Sequence, residues 1–171
     1  MSSNLEKFKN KLFVFEGPDH CGKSTIAKML TYHLRDNGIL TEFTYQPGDM
    51  VYGPHAGFLD ELCTGKKYNL DPLSNLFAFL LDRSEHTAKM VEPALRQGNT
   101  VISGRWWYST IAYQFFGKML LDKYNLNLAF AYWMNKLASH SLEPDAVFYF
   151  ERAQDRIEST ENDMHDLFES E

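Results

Sequence analysis

The residues Gly17-Pro18-Asp19-His20-Cys21-Gly22-Lys23-Ser24 lie between a short apolar run and a helical pattern. Their order fits G-x-x-x-x-G-K-[ST] without a mismatch. In such a loop, successive backbone N–H groups converge on a phosphate and the following helix adds its positive end. Gly22 lets the chain curl at that point. Lys23 is placed to bridge the outer phosphates of a nucleotide, and the Ser24 hydroxyl to bind Mg2+. The loop implies phosphate binding but names no reaction, because switch proteins, motors and transporters use it too. A guanine-nucleotide switch needs N-K-x-D, and Asn10-Lys11 and Asn135-Lys136 both lack the aspartate two places on. A motor-type ATPase needs an aspartate ending a hydrophobic strand. The apolar run 100–103 is followed instead by Gly104.

The elements around the loop are legible from periodicity. Leu12–Glu16 (LFVFE) predicts a buried strand, and Ile26, Ala27, Leu30 and Leu34 repeat at helical spacing until Gly38. Further strands are expected over 40–45, ending at Pro47-Gly48, over 100–103 after the stop at Gly98, and over 146–151. Helices are expected over 72–97 with a break before Pro93, from 109 to about 121, and over 126–141, the last apolar on nearly every face. This alternation predicts an α/β, three-layer fold of the P-loop NTPase type. A parallel sheet of about four strands would be flanked by helices, with ligands at its carboxyl ends. No repeat or linker divides the chain, so one domain over 1–171 is expected.

Bulk composition narrows the partners. A chain of 171 residues, 44% hydrophobic and 23% charged, is that of an ordinary globular protein. The net charge of -6 resides in the tail: Glu158, Glu161, Asp163, Asp166, Glu169 and Glu171 face no Lys or Arg over 157–171. The preceding residues are neutral overall and carry no broad basic face, so a small anion rather than nucleic acid is the expected ligand. No run approaches the ~18 apolar residues of a membrane span, and the N-terminus alternates charge with apolar residues. Neither a membrane partner nor a secretory leader is expected, and a cytoplasmic location follows. Cys21 and Cys63 allow at most one bridge and do not stand in metal-ligand spacing with the histidines; reduced thiols are expected.

Several motifs in order resemble the thymidylate kinases, P-loop enzymes that pass the γ-phosphate of ATP to dTMP. FEGPDHCGKST is similar to that family's F-E-G-x-D-x-x-G-K-S-T loop, and FAFLLDRSEH, Phe77 to His86, to its L-L-F-A-A-D-R-x-x-H helix. The stretch from Glu92 to Gln114 matches P-A-L-x-x-G-x-x-V-I-x-D-R-Y-x-x-S-x-x-A-Y-Q at most fixed places, and PDAVFYFE and DRIE resemble the last strand and a lid near 151–160.

The resemblance implies a donor site built from Gly17, His20, Cys21, Gly22, Lys23, Ser24 and Thr25, and an acceptor site for a deoxynucleoside monophosphate. In that acceptor site Phe79 takes the place that stacks on thymine, Arg83 the place that reaches the base edge, and Arg105 the place that grips the acceptor phosphate. Ser109, Thr110, Tyr113 and Gln114 line the sugar and base region, with Tyr113 filling the space a ribose 2′-hydroxyl would need. Asp19 matches the loop aspartate that meets the acceptor's sugar or the metal. Lys23, Arg105, Asp19 and the lid residue Arg156 are the expected catalytic set. Ser24 is the expected Mg2+ ligand, with Asp19 and Glu158 as further candidates. A homodimer through the helix from Ser109 and the 126–141 helix is implied as well. Read without the family, Phe79 would be a core aromatic, Arg83 a surface partner of Asp82 or Glu85, Tyr113 a packed helix residue, and Asp19 a turn residue bonding its own backbone.

Four departures stand out. The aspartate of D-R-Y is Gly104 and its tyrosine Trp106; Asp19, Glu16 and Glu158 are the acids able to compensate. The T-R-E-P-G turn reads Thr44-Tyr45-Gln46-Pro47-Gly48, which deletes an arginine from the acceptor-phosphate site. His20 stands where some members place a catalytic arginine and others a glycine, the latter moving their arginine to the lid, so that Arg152 and Arg156 become candidates. The residues after Phe150 reach the lid-like segment at once, so four strands are expected rather than five. The leading expectation is a nucleoside monophosphate kinase acting on dTMP or a related deoxypyrimidine monophosphate. A deoxynucleoside kinase using Glu16 as base and a degenerate nucleotide-binding protein are the alternatives.

Overall fold

Leu12–Glu16 forms β1 at the centre of the sheet, with all five residues buried. β1 pairs in parallel with β3 (Thr100–Gly104) and with β4 (Ala146–Tyr149), and β2 (Thr41–Tyr45) pairs with β3. The four-stranded order is β2-β3-β1-β4. This is a computed structural model, and it describes residues 5–47, 56–65 and 67–151.

The two-residue period of the strands sorts the core into two layers. Phe13, Phe15 and Ile102 pack on Ala27 and Leu34 of α1 (Lys23–Asp36). From the opposite face, Leu12, Val14 and Val101 meet Val91, Ala94, Trp106 and Trp107. A strand buried on both faces has no solvent side to alternate toward, which explains why Leu12–Phe15 are apolar without a break; only Glu16, at the carboxyl end, is charged.

The helical layer departs from the expected boundaries in instructive ways. α3 (Pro72–His86) opens with Asp71, whose carboxylate accepts from Leu73 N at 3.0 Å. No break precedes Pro93. The chain runs on through a π-helical segment, Thr87–Val91, into α4 (Glu92–Arg96). Pro93 falls in the first turn of α4, where its missing N–H costs little, and the wide turn before it absorbs the mismatch. The helix expected from 109 is built of α5 (Trp107–Thr110), a π-helical segment Ile111–Gly117 and α6 (Leu120–Lys123), interrupted where Met119 takes a left-handed φ of 52°. α7 (Leu128–Ala138) is shorter than its apolar pattern suggests and is capped by Asn127, which accepts from Phe130 N at 2.8 Å. Between the Pro47-Gly48 turn and Pro72 the sequence pattern predicts no helix, yet α2 spans Ala56–Thr64. Asn75 of α3 secures its end by donating to Cys63 O at 2.9 Å. The lid-like segment, with Arg152, Arg156, Glu158 and the acidic tail, lies outside the described residues. Among those described, no helix is long and apolar enough to cross a membrane.

One buried side-chain network ties the end of β2 to α3. Arg83 Nε donates to Gln46 Oε1 at 3.0 Å, so the Gln46 amide nitrogen donates to His86 Nδ1 at 2.7 Å, and His86 Nε2 donates to Thr44 Oγ1 at 2.6 Å. Burial, with the Arg83 charge second, pulls the His86 pKa down to about 3. The unfolded chain binds this proton below the ordinary value of 6.5, whereas the folded chain refuses it until far lower pH. Stability from His86 is therefore present above pH ~6.5 and lost as pH falls, at up to about 1.4 kcal/mol per pH unit. The urea midpoint is expected to drop between pH ~7 and ~5, and His86→Gln to flatten that part of the profile. An equally steep variant would show that another group carries the dependence.

Candidate active site

The loop from Gly17 to Gly22 connects the carboxyl end of β1 to α1. Its backbone is left-handed at His20 (φ 61°) and Gly22 (φ 89°). Gly17 admits no side chain, since a Cβ there would collide with Phe150 O. No side chain caps α1 at Gly22, and no acid stands in its first turn. The N–H groups and positive end of a 14-residue helix are thus left to a ligand. Ser24 and Thr25 are exposed at this turn, as is His20, while Cys21 is half-buried. Lys23 is buried, with Nζ donating to Pro18 O at 2.8 Å and to Asp19 Oδ1 at 3.3 Å.

Arg105 leaves the end of β3 in a left-handed turn (φ 70°), with its N–H donating to Phe15 O at 2.9 Å. The guanidinium pairs with Asp19 Oδ1, donates to Ser109 Oγ at 3.2 Å and lies over the Tyr113 ring at 5.2 Å. Asp19 therefore joins the phosphate-loop lysine to Arg105 and is more than a turn residue. Glu16 is fully committed nearby. Its Oε1 accepts from Trp106 N at 2.7 Å and Ser109 N at 3.4 Å, and its Oε2 from Ser109 Oγ at 2.6 Å. The carboxylate caps α5, whose own first residues supply no side-chain cap. Burial pushes the Glu16 pKa up, against the pull of these hydrogen bonds and of Arg105.

A cavity of about 280 Å³ opens beside this junction. All eight acceptor-site residues expected from the sequence line it: Asp19, Phe79, Arg83, Arg105, Ser109, Thr110, Tyr113 and Gln114. Gln46 and Pro47, from the turn that the resemblance puts at the acceptor-phosphate site, line it too, as does Trp106 from the D-R-Y position; Thr64 was not foreseen there. Phe79 serves both readings, being packed on Cys63 and Ala78 while facing the cavity. Arg83 is no surface residue. It is fully buried, and burial lowers its pKa to about 10 against the charges of Asp82 and Glu16, so it stays protonated near neutrality. Gln114 Nε2 points to Asn75 Oδ1 at 3.4 Å, while Gln114 Oε1 and Trp106 Nε1 are buried with no hydrogen-bond partner among the described residues. Unpaired buried polar atoms beside a cavity are what a bound ligand or water completes.

A family model described as thymidylate kinase matches residues 15–171. The chain belongs to the thymidylate kinase family. A thymidylate kinase of Brachyspira hyodysenteriae is 38% identical over 143 residues, 82% of this chain and 62% of that protein. The chain thus spans less than two thirds of that relative. A thymidylate kinase of Dehalococcoides mccartyi is 34% identical over 167 residues, 90% of this chain and 77% of the relative. The crystal structure of thymidylate kinase from Ehrlichia chaffeensis matches at a TM-score of 0.67 and 30% identity, covering 82% of this chain and 74% of that one.

The departure of this thymidylate kinase family member at Gly104 has a physical counterpart. Gly104 pairs across the sheet with Tyr45, and a Cβ at 104 would sit 3.3 Å from Tyr45 Cβ. Glycine at one position and tyrosine at the other are thus mutually accommodated. Of the acids able to compensate, Glu16 is committed to α5, Asp19 stands at the junction, and Glu158 lies outside the described residues.

Proposed function

We propose that the protein passes the γ-phosphate of ATP to the phosphate of dTMP, giving ADP and dTDP. The observation that carries this is the contact between the two half-sites: the Asp19 carboxylate in the phosphate loop holds both Lys23 and Arg105. ATP phosphates would take the open N-terminus of α1 and Lys23. The acceptor phosphate would take Arg105, with thymine against Phe79 and its edge toward Arg83 and Gln114. Tyr113 crowds the 2′ side of the sugar and favours a deoxynucleotide. The attacking oxygen is already anionic, so positioning and charge neutralisation suffice and no general base is required. A hydroxyl acceptor would need one, and the geometry disfavours Glu16 for the task because both of its oxygens are engaged with α5.

Mg2+ fits the donor set. Among the described residues no three acids, histidines or cysteines cluster to cage a metal. This suits an ion that arrives with the nucleotide and keeps phosphate and water ligands. Ser24 would hold it, and it would neutralise charge between the outer phosphates. Both cysteines are free, in keeping with the cytoplasmic location we propose.

We propose a homodimer through α3 and α7. Phe77, Leu81 and Leu137 are exposed there around a groove also lined by Met134. Exposed apolar surface of this kind favours association. Light scattering is expected to report twice the chain mass at micromolar protein; a monomer mass would reject the proposal.

ADP release with ATP, Mg2+ and a panel of deoxynucleoside monophosphates, with thymidine alongside, tests the activity. Product is expected from dTMP and none from thymidine. Turnover of thymidine alone would transfer the function to a hydroxyl kinase, and binding without ADP would show a degenerate site.

A further inference from the structure

Asn135 belongs to none of the motifs and does not line the acceptor cavity, yet it contacts Arg83, which does. It is fully buried on α7, and its Nδ2 donates to Ala131 O at 2.8 Å. That carbonyl can only accept, which fixes the amide so that Oδ1 is turned to Arg83 Nη1. Thr110 Oγ1 accepts from the same nitrogen at 2.9 Å, and Gln46 Oε1 from Nε at 3.0 Å. The Trp106 ring lies 5.9 Å from the guanidinium carbon.

Three oxygens from three separate parts of the fold thus fix one planar fork. All three are neutral, so Arg83 is oriented without a contact ion pair. A guanidinium held in one plane offers its donors in one direction only. A base edge that presents a carbonyl oxygen gains from this, and one that presents an amino group does not. Without Asn135, Nη1 keeps only the Thr110 hydroxyl among the described residues, and the fork is free to turn about its Gln46 contact.

We infer that Asn135 is a positioning residue for base selection: acting through Arg83, it makes the cavity prefer keto over amino pyrimidines. This rests on the reading that the cavity holds a pyrimidine monophosphate.

Calorimetric binding of dTMP and of dCMP to the full chain, with thermal midpoints recorded alongside, tests it. The unmodified protein is expected to favour dTMP. Asn135→Leu should cut that preference about tenfold, chiefly through weaker dTMP binding. Asn135→Asp keeps an oxygen facing Arg83 and should hold the preference within about threefold. If Asn135→Leu does not fold, Asn135→Ser is read in its place, because its short hydroxyl bonds back to the helix backbone. Were Asn135 merely structural, both nucleotides would weaken together as the midpoint falls, leaving the ratio unchanged; that result overturns the inference alone. A wild-type chain that binds both nucleotides equally overturns it too. One that binds neither overturns the acceptor reading and the inference with it.

Discussion

Asp19 belongs to the phosphate loop, yet its carboxylate reaches Arg105 at the exit of β3 while Lys23 donates to the same oxygen. Two cations drawn this close in a partly desolvated place would repel each other without an anion between them. The carboxylate makes the arrangement possible, and it requires β1 and β3 to be neighbours. The strand order β2-β3-β1-β4 provides that adjacency. On the proposed function, a donor loop after one strand and an acceptor cation after the next give the carboxyl-end geometry of open parallel sheets, here narrowed to a single shared residue.

The remaining polar contacts keep this junction in register. Glu16 ends β1 and caps α5, so the strand that launches the phosphate loop also fixes the start of the segment bearing Ser109, Thr110 and Tyr113. Arg83 is anchored by Gln46, Thr110 and Asn135, tying the turn after β2, α5 and α7 to one guanidinium. The positions where the family pattern carries Arg, Glu and Asp hold Tyr45, Gln46 and Gly104 here. The charge is therefore concentrated on Asp19, Arg105 and Arg83. Tyr45 and Gly104 face each other across the sheet, so two of these changes form one packing unit.

Much of this was legible in the sequence because local spacing dictates it. A glycine-bounded loop between an apolar strand and a helix has few other readings, and Phe79 and Arg83, four apart on α3, share a face by helical geometry. The illegible parts depend on long-range contact. α2 has its end secured by Asn75, twelve residues away, and nothing in its own pattern announces that. The π-helical segments at Thr87–Val91 and Ile111–Gly117 shift the helical register, which a 3.6-residue period cannot reveal. Asn135 reads as one polar residue on an apolar helix, and Glu16 as the polar end of a strand; only the assembled fold shows one holding Arg83 and the other capping α5.

On the proposed function, donor phosphates and acceptor phosphate meet end-on across Asp19. Titrating the protein with adenosine and thymidine joined 5′ to 5′ through a polyphosphate chain measures this directly. Because one linked molecule would fill both half-sites, it should bind at least about a hundredfold more tightly than dTMP alone. Affinity no greater than that of the better single nucleotide would show that the loop and the cavity do not face each other.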